Sequence, residues 1–174
     1  MNFRVSDYDK DDLNEIHHKY SFNESIADED ISKSKNTTPV FCYDLIDLDK
    51  TDYHFKQSCF DNVDIQAYFS QIKKISTSTI FELIKNNENG NDDDLKLHRA
   101  EVKGNLLTIL KKIYPKPVNY FPEIYHFALY TPKGKKADRK TGDKAPRIYF
   151  LVGRNSMLYI LFYDPYHEIN PLAI

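Results

Sequence analysis

The stretch from Arg147 to Tyr163 constrains the fold of this chain more than any other. Two runs, Arg147–Val152 and Met157–Tyr163, are rich in aromatic and β-branched residues and flank Gly153-Arg154-Asn155-Ser156, which is the pattern of a β-hairpin. Val152 opposite Met157 would set Phe150 against Tyr159 and Ile148 against Leu161 on one side, with Leu151–Leu158, Tyr149–Ile160 and Arg147–Phe162 sharing the other. Both sides are mostly apolar, so the hairpin is expected at the centre of a sheet covered twice. Arg147 then lies with Tyr163, Asp164, Tyr166 and His167 at the end of a rigid element.

Upstream of the hairpin the chain alternates between helical and extended patterns. Residues 1–38 are polar and acidic, with Leu13, Ile16 and Tyr20 at helical spacing before a connector-like stretch, and read as a partly mobile N-terminal segment. Residues 39–174 read as one domain. Pro39–Asp49 and Tyr53–Phe60 suggest a second hairpin or strand pair. Asp64 can cap a helix whose apolar stripe is Ile65, Tyr68, Phe69, Ile72 and Ile75. Thr79 with Glu82 has capping-box spacing ahead of a second helix. Leu95–Ile113 reads as a third, with Val102, Leu106, Ile109, Leu110 and Ile113 inward and Gly104 as a weak point. Ile124–Thr131 alternates as a strand, with His126, Ala128 and Tyr130 facing away from Tyr125, Phe127 and Leu129, and His126 reads as a packed strand histidine. The order implies an α+β fold, an antiparallel sheet with helices packed on one face.

Charge divides the chain. Through Asp64 there are 7 basic and 15 acidic residues, and from Leu95 onward 14 and 6. The basic half is a candidate surface for RNA or another polyanion, and the alternative is that the halves neutralise each other within the fold. In the loop from Pro132 to Arg147, Lys133, Lys135, Lys136, Arg139, Lys140 and Lys144 are candidate phosphate contacts, which bind in a salt-dependent way without reading sequence. A solvated loop guarding a sheet edge is the plainer alternative. No Walker loop, G-x-S-x-G, H-E-x-x-H or paired C-x-x-C occurs, so NTPase, triad hydrolase, zinc protease and zinc ribbon chemistries have no support. Asp92, Asp93 and Asp94 point in different directions along any backbone, so no metal and no cofactor is expected. Cys42 and Cys59 read as free thiols of a reducing compartment. No apolar run reaches the roughly 20 residues of a membrane span, and the expected location is the cytoplasm.

The C-terminal hairpin resembles the RelE/ParE-type toxin superfamily. That pattern, R-[IV]-x-[FY]-x-[IV] followed by [IV]-x-[IV]-L and then His, Arg or Tyr, is matched by Arg147-Ile148-Tyr149-Phe150-Leu151-Val152, by Tyr159-Ile160-Leu161, and by Tyr163 and His167. The resemblance implies a RelE-like arrangement of a helical hairpin on an antiparallel sheet, and a toxin of a toxin–antitoxin pair. This chain departs from the family in its greater length and in its acidic N-terminal extension. Its ending, Asp164-Pro165-Tyr166-His167 with Pro171, also resembles uncharacterised bacterial and phage proteins, which brings no activity.

Two function classes follow. The first is a metal-independent endoribonuclease, because an RNA 2′-hydroxyl can attack its own phosphate if one group takes its proton, another protonates the leaving oxygen and cations hold the developing charge. His167 is the candidate acid or base, Arg147 and Arg154 the charge stabilisers, and Tyr163 or Tyr166 the hydrogen-bond donor or base stack. For His167 the plainer alternative is a strand-end residue beside Glu168. The second class is a non-enzymatic phage or mobile-element protein that binds nucleic acid, or inhibits a nucleic-acid enzyme by docking its acidic N-terminal segment on a basic protein partner. An interaction domain with no ligand also fits the composition.

Overall fold

A computed structural model describes residues 35–56, 58–89, 95–114, 123–132, 137–153 and 156–170. Among them are strands β1 (Val40–Cys42), β2 (His98–Ala100), β3 (Ile124–Ala128), β4 (Arg147–Val152) and β5 (Met157–Asp164). Three helices accompany them, α1 (Asn62–Ile75), α2 (Ile80–Glu88) and α3 (Gly104–Ile113). The strands form one sheet in the order β1-β5-β4-β3-β2. The α+β class therefore holds. The expected all-antiparallel sheet does not, because β1 runs parallel to β5.

The β4–β5 hairpin lies inside the sheet with every residue of β4 buried, as its two apolar faces imply. Its register differs from the one expected. Val152 pairs with Leu158 and Phe150 with Ile160, and after an irregularity Tyr149 pairs with Phe162 and Arg147 with Asp164. A one-residue slip exchanges faces along a strand, and a bulge resets it. Here Leu161 is the extra residue, so Leu161 and Phe162 both join one core while Ile160 and Tyr163 join the other.

Helices cover both faces of the sheet rather than one. On the first face α1 and α2 bring Tyr68, Ile75, Ile80 and Leu83 onto Phe127, Ile148, Phe150, Leu158 and Ile160. On the second, α3 brings Leu106, Ile109, Leu110 and Ile113 onto Ile124, Tyr149, Leu151, Tyr159 and Phe162. A sheet apolar on both faces needs both covers to remove that area from water. The expected third helix begins late because Leu95 and Leu97 alternate with Lys96 and His98, a period of two that belongs to a strand. Ala128 donates its N–H to Leu95 at 2.7 Å, extending the β2–β3 pairing. The helix starts only at Gly104, whose φ of 52° suits glycine.

Helix starts follow local chemistry. Asp61, not Asp64, is the N-cap of α1, accepting from the backbone of Val63 and Asp64, and Asp64 returns a bond to the Asp61 N–H. The Thr79–Glu82 box caps α2 as its spacing implies. Thr79→Ala is expected to cost about 1 kcal/mol, read as a lower urea midpoint with an unchanged slope; no change would show that α2 adds nothing to cooperative stability.

No second hairpin forms between Tyr43 and Phe60 among the described residues. Asp47, 1% exposed, instead folds that segment around itself. Its carboxylate accepts from the backbone of Asp49 and Lys50 and from the Thr51 hydroxyl at 2.7 Å. Side-chain bonds of this kind compete with a ladder. The turn still serves the sheet, because Asp47 donates its N–H to Leu161 and Tyr53 accepts from Tyr163, pairing the β5 backbone beyond the end of β1. No described helix is long and apolar enough to cross a membrane.

Candidate functional site

Strand register assembles a polar row across the second face. His98 pairs with His126, His126 with Tyr149, and Tyr149 with Phe162, and directly paired residues share a face. The adjoining row carries Ala128, Arg147 and Asp164. The turn after β5 folds over this end. Asp164, fully buried, accepts from the N–H groups of Tyr166 at 3.2 Å and Ile169 at 2.9 Å. Those bonds turn the chain so that Ile169 enters the α3 core and His167, at φ 55°, comes to His126.

Three imidazoles meet there. The His126 ring centroid lies 5.7 Å from that of His98 and 5.9 Å from that of His167, and it stacks on Tyr149 at 5.1 Å. His98 is exposed, His167 half-buried and His126 buried at 6% exposure. Asn87 Nδ2 lies 3.4 Å from His98 Nδ1, a contact that favours the tautomer with the ring proton on Nε2. His126 Nδ1 and the Tyr149 hydroxyl are buried without a partner. Arg147, 4% exposed, donates through Nη1 to the Pro146 and Ala145 carbonyls at 3.0 and 3.1 Å. It locks the loop to the strand while its charge remains at the site.

The field at these rings is positive. Burial pushes His126 down to about 3, helped by His167, Arg147 and His98. Burial likewise lowers His167 to about 4, with Arg147, His98 and Lys96 adding to it, and lowers His98, with Arg147 and Lys96 adding. Each ring is thereby held toward its neutral form in the folded protein. Because the unfolded histidine near 6.5 binds protons that the folded one refuses, stability falls as pH drops from 6.5 toward 4. Between pH 7 and 5 the wild type is expected to lose about 2 kcal/mol more than His126→Leu, taking 1.36 kcal/mol per pKa unit. Paired urea melts at the two pH values check this, and equal losses would refute it.

The other expected site residues have varied surroundings. The Tyr163 hydroxyl is buried on the opposite face and donates to Asp64 at 2.8 Å. Lys144 is held by Cys59 O at 2.9 Å and by Asp61 and Asp64 at 2.7 Å, so all three ammonium protons are matched within the fold. Burial lowers the Lys144 pKa, but the hydrogen bonds to Asp61 and Asp64 outweigh it and leave the group raised. Arg139 forms a bidentate pair with Glu168 at 3.1 and 2.7 Å and stacks on Tyr166 at 5.2 Å, which ties the basic loop to the segment carrying His167. Lys140 is exposed. Arg154, Lys133, Lys135 and Lys136 lie outside the described residues, as does the acidic segment through residue 34. Arg147 and His167 are thus together, whereas Tyr163 and Lys144 belong to a separate buried network on the first face, centred on Asp64.

His98, Lys96 and His126 complete a group that their sequence positions do not reveal. Clefts bounded by described residues lie elsewhere. One of about 360 Å³ is bounded by Ser70, Gln71, Lys74 and Tyr130. An apolar one of about 440 Å³ is bounded by Tyr43, Ile46, Phe55, Phe60, Tyr68 and Phe69. Neither is lined by an expected site residue. Among the described residues no group of three His, Cys, Asp or Glu is arranged to hold a metal ion, and the positive field at the histidines suits an anion better. The chain matches no family model, no curated protein and no solved structure.

Proposed function

We propose that this protein is a metal-independent, RNA-binding endoribonuclease of toxin type that works at the histidine end of the sheet. The observation that carries the reading is the meeting of His167 with His126 and of His126 with His98 beside the buried Arg147 charge, where Arg147 and Lys96 both disfavour a proton on His167. His167, half-buried and reachable from solvent, is the proton-transfer group. Cleavage needs a base for the 2′-hydroxyl and an acid for the leaving 5′-oxygen; neutral His167 takes the 2′-hydroxyl proton as that oxygen bonds to phosphorus, and the imidazolium so formed returns the proton to the 5′-oxygen as its bond to phosphorus breaks. A bound phosphodiester supplies the negative charge that these rings lack and draws their pKa values upward, toward working range. Arg147 acts through its field, with its Nη1 donating to the Pro146 and Ala145 carbonyls. Exposed Lys140 follows the phosphate backbone.

Resemblance of the hairpin to RelE/ParE-type toxins supports the same reading, although a mixed sheet covered on both faces differs from the arrangement that resemblance implies. The test is incubation of purified protein with single-stranded RNA in EDTA. Cleavage leaving 2′,3′-cyclic phosphate ends is expected, and RNA that stays intact would remove the proposal.

A further inference from the structure

Asn87, His98, His126 and His167 reach one place from α2, β2, β3 and the turn after β5, and the charge of Lys96, just before β2, acts on His98 and His167 there. Separate elements converging on a cluster of nitrogen donors, with no carboxylate among the described residues shifting the rings, make a site shaped for negative charge. Two features mark it as built. His126, 6% exposed, holds Nδ1 without a partner inside the fold, and buried polar atoms of native proteins ordinarily have one. Lys96 at φ 43° and His167 at φ 55° are two of the three described non-glycine residues with positive φ. Such backbone is costly, and it collects where side chains must be aimed.

We propose that this cluster is a binding site for a phosphate ester, with the His98 Nε2–H and the Lys96 ammonium donating to its oxygens and His167 closing over it. The proposal rests on the ribonuclease reading for the nucleotide that would carry the phosphate, and on the geometry alone for the phosphate itself. A dianion replaces mutual repulsion among Lys96, Arg147 and any protonated ring with attraction, and charge-assisted bonds of this kind are the stronger class.

The experiment is titration of the full chain with inorganic phosphate at constant ionic strength, followed by NMR of the imidazole resonances. The chain has six histidines, so His17, His18 and His54 serve as internal references. Saturable shifts of His98, His126 and His167 are expected, with a Kd on the order of 1 mM for a ligand of about five non-hydrogen atoms. His98→Gln and Lys96→Met, both on accessible side chains, should each weaken binding about tenfold. Shifts that do not saturate, or that the reference histidines share equally, would overturn the site. Saturable binding with RNA left intact supports the site and removes the ribonuclease reading. RNA cleavage by the wild type without saturable phosphate shifts keeps that reading and overturns this site.

Discussion

Asp64→Ala is expected to cost about 3–5 kcal/mol, the range for removing one partner from a buried ion pair. Asp64 is fully buried and takes hydrogen bonds from Lys144 at 2.7 Å, Tyr163 at 2.8 Å and Tyr130 at 2.9 Å. Its loss strands an ammonium whose side chain is 17% exposed and leaves two phenols without their acceptor. Asp61 still holds Lys144 but is half exposed, so it offsets only part of the loss. At about 2–4 °C per kcal/mol for a chain of this size, the melting temperature should fall by on the order of 10 °C. Adding Lys144→Met should restore part of the stability, because the isolated charge, more than the missing contact, carries the penalty. A melt within 2 °C of wild type would show that the network has no structural role.

The second large effect concerns activity. His167→Ala is expected to slow RNA cleavage by about 10²–10⁴-fold, the usual contribution of a positioned acid or base. Folding should survive, since the side chain is only half-buried and lies in a turn after the last strand. Far-ultraviolet dichroism and the melting temperature separate the two outcomes. Lys140→Ala, by contrast, should leave the chemical step unchanged while weakening RNA binding and flattening its salt dependence by about one phosphate contact.

Much of the scaffold was legible because it is local. The β4–β5 hairpin, the Thr79–Glu82 box and the alternation of Ile124–Ala128 each follow from residues a few positions apart. The failures have physical causes. The hairpin register slipped because both faces are apolar, so nothing in the hydrophobic pattern penalised the wrong pairing. The second hairpin was lost to Asp47, whose carboxylate gives the backbone a competing set of bonds. Apolar residues of Leu95–Ile113 satisfied a helical template throughout, although Leu95 and Leu97 alternate. Expecting helices on one face went against the hairpin's two apolar sides, which already implied a sheet covered twice, and the helices do cover both faces. For the site, the sequence brought Arg147 and His167 to one end of the hairpin. His98 and His126, 28 residues apart, meet through a register that no local pattern reveals. The charge of the loop also misled, because Lys144 and Arg139 are spent on Asp61, Asp64 and Glu168.

The most direct measurement is cleavage of end-labelled single-stranded RNA in EDTA by wild type, His167→Ala and Lys140→Ala, each with its melting curve beside it. Cyclic-phosphate ends from the wild type, a loss of about 10²-fold or more in His167→Ala at unchanged melting temperature, and cleavage retained at saturating RNA in Lys140→Ala are the predicted results. Intact RNA with the wild type, or His167→Ala cutting at the wild-type rate, would contradict the account.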